Sequence, residues 1–254
     1  MASRRFRVLG ALILREMSTR YGKSHLGYFW AVVEPVAYVS IFTLLCGYLS
    51  RHPPIVQSFA VFFATGVMVY FFYRGVADTT ALAYGQNRSL FTYPYVTLLD
   101  AVLARGVLEF ATRALVALIV LVGVIWFADF DAIYDIRPLL AAPLICAATG
   151  LGVGMINCVL FNLSASYQRA FGVIMRPQMI LSGVIFIPER LPESGREIIL
   201  WNPLVHMVAY FRTGFYSTYQ ADYINFPMMI GLPLVLLIVG LFLIRRFEGR
   251  LERI

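Results

Sequence analysis

Charge is scarce in this 254-residue chain. Asp, Glu, Lys and Arg make up 14% of it, against 60% hydrophobic residues and a mean hydropathy of +0.75. A soluble domain carries about 25% charged residues, so this chain has too little polar side chain to cover a globule in water. A disordered chain and an ordinary soluble enzyme are excluded. Cysteine is scarce too: Cys46, Cys146 and Cys158 lie inside apolar stretches with no ligand spacing. That excludes a secreted disulfide scaffold and leaves them as small packing residues. Lysine is scarcer still, since Lys23 is the only one. The net charge of +7 is therefore carried by arginines at the chain ends and beside apolar runs. Such a distribution suits lipid headgroups and membrane orientation, and no nucleic-acid partner is expected.

Chemical motifs are also lacking. Gly150, Gly152 and Gly154 have the look of a dinucleotide loop but lie inside an apolar run with no strand before them. Gly150 and Gly154 read instead as a small-residue contact between helices. Leu181-Ser182-Gly183 opens like a nucleotide-binding signature but continues into apolar residues, and no Walker A lysine loop exists. Asp129, Asp131 and Asp135 lack the glycine and terminal glutamate of a calcium loop. His25, His52 and His206 are scattered, with no metalloprotease pair and no nucleophile elbow. No catalytic residue and no metal site is expected.

What remains is length and apolarity. Six runs are long enough or nearly so to cross about 30 Å of hydrocarbon: Phe29–Leu49, Ile55–Ala77, Val107–Phe127, Leu139–Leu163, Phe171–Ile187 and Pro227–Ile244. With the N-terminus inside, the cytoplasmic set comprises Arg4, Arg5, Arg7, Arg15, Arg20, Lys23, Arg88, Arg105, Arg169, Arg245, Arg246, Arg250 and Arg253. Only Arg51, Arg137, Arg190, Arg196 and Arg212 lie on the other side, so both termini are expected to be cytoplasmic. Phe6, Leu9, Ile13 and Met17 recur at helical spacing, predicting an interfacial amphipathic helix within residues 1–28 rather than a cleaved signal. Between 188 and 226, Pro188, Pro192 and Pro203 interrupt the apolar stretches Ile198–Trp201 and Leu204–Phe211. Neither can span alone, which predicts two re-entrant half-helices on the outer side. The expected fold is an all-α membrane protein: one domain over 1–254, with spans one to five in 29–187 and the sixth span and tail in 227–254.

Ionisable residues inside the runs are costly in hydrocarbon and need partners or water. Glu109 and Arg113 stand four apart and predict a self-neutralising pair. Glu34, Arg74 and Arg176 are read as lacking a local partner, so Glu34 is expected to pair with Arg74 or Arg176. Trp30, Glu34, Tyr38 and Phe42, each four apart, make an aromatic and acidic stripe. The stripe is either a packed helix interface or the wall of a conduit on which sugar rings can stack and slide.

At the N-terminus, Arg15-Glu16, Thr19-Arg20-Tyr21, Leu26-Gly27-Tyr28-Phe29-Trp30 and Glu34-Pro35 resemble the signature of ABC-2 type permeases that export polysaccharides. Trp201-Asn202-Pro203-Leu204, His206, and Arg212 before Phe215 resemble the region ahead of their last span. Pro188 after Phe186, with Arg196 ahead of Leu200, is similar to the capsular polysaccharide branch, the KpsM type. The resemblance implies a half-transporter of the bacterial inner membrane. Two copies would form the pore, and two ATP-binding cassette subunits would carry the ATP and Mg²⁺, leaving this chain without a cofactor. The implied cargo is a lipid-linked anionic glycan, with a periplasmic co-polymerase or adaptor and an outer-membrane export protein as further partners. The stretch Asn87–Leu98, with Asn87, Leu90, Phe91 and Tyr93, matches the place of the coupling helix that meets the ATPase. Arg4, Arg5 and Arg7 would attract anionic headgroups at the entrance. An O-antigen or teichoic-acid exporter has the same architecture. A membrane-embedded transferase would need paired acidic residues with a metal, which the inner loops lack.

Overall fold

The computed structural model describes residues 2–21, 27–49, 55, 58–91, 96–130 and 134–251. Among them every regular element is helical. The order is α1 (Ala2–Tyr21), α2 (Gly27–Leu49), α3 (Phe59–Ala81), α4 (Ala83–Gln86), α5 (Leu98–Phe127), α6 (Ile136–Leu163), α7 (Ala165–Ile174), α8 (Gln178–Leu181), α9 (Glu193–Leu200), α10 (Pro203–Thr213) and α11 (Phe226–Leu251). Five helices, α2, α3, α5, α6 and α11, are long and apolar enough to cross a membrane.

The helix ends follow local chemistry. Thr97 and Asp100 close a reciprocal capping box at the start of α5. Asp135 caps α6 through the Arg137 amide, and the Arg137 guanidinium beside it holds its carboxyl below the usual range. Ser164 ends α6 in extended backbone and accepts from the Tyr167 amide to start α7. Asn202 with Pro203 does the same for α10. α5 begins well before Val107, so Arg105 lies within a helix and not in a loop.

The core is centred on α3. Its spanning window is 83% buried, because α2, α5, α6 and α10 surround it. α6 lies between α3 and α11, and its glycines explain the closeness of both. A Cβ on Gly150 would meet the Tyr73 carbonyl of α3, whereas one on Gly152 would come within 2.7 Å of Leu236 of α11. The expected Gly150 contact between helices is therefore present, and Gly152 adds a second seam.

Two expectations change here. Phe171–Ile187 is not one continuous helix. α7 ends at Ile174, α8 occupies a single turn, and the chain then bends through Gly183, whose φ of +72° only glycine adopts readily. Pro177 accounts for the break, since it has no amide hydrogen and disfavours helical backbone at Arg176. The inward face of α1 also differs from the Leu9, Ile13 and Met17 stripe. Leu12 and Glu16 are the buried positions, packed towards α5, and Met17 is exposed. Phe6 has its side chain outside the described residues. In 188–226 the two short helices α9 and α10 are present, roughly 12 and 16 Å long.

Candidate functional site

From Val61 to Ala81, every residue of α3 is buried except Arg74 and Asp78. Along this stretch the most enclosed helix of the fold is thus open to its surroundings only at two charged positions, one helical turn apart. Arg74 Nε lies 2.6 Å from Asp78 Oδ2, with the Asp78 side chain 48% exposed. Buried tyrosines line the same stretch of helix. Tyr73 receives a hydrogen bond from Gln178 Nε2 at 3.3 Å, which ties α3 to the broken segment at α8. Tyr70 lies within electrostatic range of Arg74, Asp78 and Tyr38.

A second charged group sits beside this opening. Arg113 Nε of α5 donates to Glu109 Oε1 at 2.8 Å, the pair that their spacing predicts. The Arg113 guanidinium also reaches across to Glu34 of α2 at 3.8 Å and lies over the Phe71 ring at 5.3 Å. The Arg113 and Glu109 side chains both lie against α3 between Arg74 and Asp78, where a Cβ on Gly75 would come within 2.7 Å of Arg113 Nε and 2.8 Å of Glu109 Oε1. Three helices therefore bring Glu34, Arg113, Glu109, Asp78 and Arg74 together. Pairing offsets much of the cost of holding charges away from bulk water. What stays open is a polar surface able to hydrogen-bond hydroxyl-rich or ionic groups, with two guanidiniums set among three carboxylates.

The aromatic stripe divides in two. Tyr38 meets the Phe71 ring edge-on at 5.7 Å, and Phe42 tilts against Phe63 at 5.6 Å, so its lower half packs on α3. Tyr38 keeps 39% of its surface exposed. Trp30 is 63% exposed and touches Phe29, not the other stripe members. Glu34 pairs with Arg113 rather than with Arg74 or Arg176, because Arg74 is occupied by Asp78 on its own helix. That partner was readable in the sequence at the same four-residue spacing as Glu109 and Arg113. Arg176 is exposed at the α7–α8 break.

Around the expected coupling segment, Asn87 points inward and is buried. Leu90 is half-buried, and Phe91 stacks on Tyr84 at 5.5 Å, with the Arg88 guanidinium 5.3 Å from the centre of the same Tyr84 ring. Tyr93 lies outside the described residues. Arg7 is exposed on α1, whereas the side chains of Arg4 and Arg5 lie outside what the structure describes. Among the described residues no group of three or more His, Cys, Asp or Glu is placed to hold a metal. Two buried pairings escaped the sequence reading. One joins Glu16 to Arg105 and Asn87; the other holds Arg212 to backbone carbonyls. Their partners lie far away in the chain, so no spacing signals them.

Comparison with known proteins adds a family. Residues 7–216 match the model of the ABC-2 type transporter family. The capsule polysaccharide export inner-membrane protein CtrC of Neisseria meningitidis serogroup A is 28% identical over 97% of this chain and 93% of its own length. The polysialic acid transport protein KpsM of Escherichia coli is 30% identical over 94% of this chain and 92% of its own. The O-antigen export system permease protein RfbA of Klebsiella pneumoniae is 22% identical over 98% and 95%. The chain belongs to the ABC-2 type transporter family.

Proposed function

We propose that this protein is the membrane permease subunit of an ABC transporter that exports capsular polysaccharide across the bacterial inner membrane. The observation that carries the reading is the nearly full-length match to inner-membrane proteins named for capsule and polysialic acid export. The O-antigen permease matches over a similar length but at lower identity, which ranks O-antigen export second. ATP and Mg²⁺ belong to separate ATP-binding subunits, two per pair of permease chains. Both termini face the cytoplasm. The broken run through α7 and α8 makes the fifth of six crossings, and α9 and α10 re-enter from the outer side.

The charged opening on α3 then forms part of the wall along which the glycan passes. Arg74 and Asp78 offer hydrogen bonds to sugar hydroxyls and carboxylates. Tyr38 and Trp30 offer exposed ring faces, and Arg176 adds a cation at the helix break. Each contact is weak, as a conduit requires, since cargo has to leave as readily as it enters. Arg4, Arg5 and Arg7 stand where the lipid-linked end of the cargo arrives.

Expected results follow for the complex expressed in an acapsular host. Arg74→Gln and Asp78→Asn should each lower capsule export about fivefold or more, the lower end of ordinary coupling effects. Protein level and co-purification with the ATPase should remain at wild-type values. A wild-type ratio of export to protein in both variants would remove the opening from the conduit. The purified permease alone should hydrolyse no ATP, and turnover that survives contaminant controls would overturn the division of labour. In a background lacking the three native cysteines, Ser217→Cys should label with an impermeant reagent from outside and Gln86→Cys should not. The reverse pattern would invert the topology.

A further inference from the structure

Glu16, Arg105 and Asn87 form a buried polar joint among three elements that are distant in sequence. Each is at most 6% exposed. Arg105 Nε of α5 donates to Glu16 Oε1 of α1 at 2.9 Å, and Asn87 Nδ2 donates to the same oxygen at 2.8 Å. Arg15 Nη1 donates to Asn87 Oδ1 at 3.2 Å, so adjacent residues of α1 hold both ends of one amide. Arg105 Nη1 also reaches the Thr79 carbonyl near the end of α3 at 3.4 Å.

The setting of Asn87 is informative. It stands between α4 and the 3₁₀ turn Arg88–Leu90, at a backbone break with φ −122° and ψ 19°. Gly85, Gln86 and Arg88 around it are exposed, whereas Asn87 turns inward. A protein that presses on the exposed face of this segment would therefore move Asn87, and Asn87 is bonded to α1. An ion pair this buried is weak support for stability, since apolar residues of similar volume do as well or better. Its use lies in fixing a single register between parts that move together.

We propose that Glu16 is a positioning residue that makes α1 follow the 83–91 segment, so that displacement of that segment by the ATP-binding subunits is carried into α1 and α5. This rests on the reading of the chain as an ATP-driven permease. Glu16 touches neither cargo nor nucleotide; it acts through Asn87 and Arg105.

The test uses the full permease with its ATP-binding subunits in liposomes. Spin labels at Ser18→Cys and Gln86→Cys report the distance across the joint, and labels at Gln86→Cys and Arg246→Cys report movement against α11. All three positions are exposed. On trapping with ATP and vanadate, the wild-type Gln86–Arg246 distance should change while the Ser18–Gln86 distance holds. In Glu16→Ala the Ser18–Gln86 distance should change as well. Glu16→Gln, which keeps an oxygen for Asn87 but loses the charge, should show a smaller change. In both variants ATP hydrolysis should stay within about twofold of wild type, while glycan exported per ATP falls about tenfold in Glu16→Ala.

A constant Ser18–Gln86 distance in Glu16→Ala would overturn the inference. So would a parallel loss of protein, ATPase activity and export in both variants, which marks a purely structural role. If the joint behaves as described but the wild type exports no capsular glycan, the cargo reading fails and the joint stands. No ATP-dependent displacement in the wild type would refute the coupling itself.

Discussion

Arg212→Met is expected to lower the melting temperature of the detergent-solubilised protein by about 6–12 °C, the shift for roughly 3 kcal/mol in a chain of this size. Arg212 is 1% exposed. Its Nη1 donates to the Gly183 carbonyl at 2.8 Å, and its Nη2 to the carbonyls of Val184 at 2.8 Å and Phe62 at 3.3 Å. The guanidinium also stacks 3.9 Å from the centre of the Phe62 ring. The Gly183 and Val184 carbonyls need a donor because the chain from Ser182 to Ile187 has left helical geometry and both residues are buried, whereas the Phe62 carbonyl in α3 also accepts from Thr65 Oγ1. Without the arginine each buried carbonyl costs about 1–3 kcal/mol, partly offset because a buried cation has gone. Arg212→Lys should restore little, since one ammonium cannot reproduce a planar fork that serves neighbouring carbonyls. A melting temperature within about 2 °C of wild type for Arg212→Met would show that the carbonyls find other donors.

Gly150→Val and Gly154→Val should also destabilise the fold, and the expected readout is a collapse in membrane-inserted protein. A Cβ at Gly150 would collide with the Tyr73 carbonyl and lie 3.2 Å from the Ala77 nitrogen. At Gly154 it would collide with Thr80 Oγ1 and approach the Ala77 carbonyl at 2.9 Å. Most of these neighbours are backbone atoms of α3, which cannot swing aside as a side chain can. The helices would have to part along the main seam of the fold, at a cost of about 1–3 kcal/mol or more for each substitution. Gly172→Ala is the control. Nothing lies within 4 Å of its added Cβ, and alanine favours a helix over glycine by about 1 kcal/mol. Wild-type levels for both valine variants would mean that α3 and α6 pack less closely than described.

Those two sites mark the two ways in which the chain's information reaches the fold. Gly150 and Gly154 announce a close helix contact through spacing alone, because a four-residue interval puts both on one face. The spacing around Arg212 does not reveal its partners, since these are carbonyls in the 62 and 183–184 regions. The same contrast holds among the charges. Arg74 with Asp78 and Glu109 with Arg113 are local pairs set by helix geometry. The link from Arg113 to Glu34 crosses from α5 to α2, and only packing creates it.

The aromatic stripe of α2 shows how far periodicity carries. Four-residue spacing places Trp30, Glu34, Tyr38 and Phe42 on one side of the helix, as intervals near 3.6 residues per turn require. It cannot say how much of that side a neighbour covers. Phe63 and Phe71 of α3 cover the lower half, and Trp30 is left open. The fifth apolar run is similar: hydropathy identifies it, while Pro177 and the left-handed Gly183 decide that it breaks.

Composition and run length alone determined that this is a helical membrane protein, because hydrophobicity and apolar periodicity are local properties. Signature residues determined the family. Tertiary structure decided which charges meet, which face of α1 turns inward, and that between Val61 and Ala81 α3 opens only at Arg74 and Asp78. The physical reason is that burial and cross-helix pairing depend on the three-dimensional arrangement of segments separated by tens of residues, and one-dimensional spacing carries no record of it.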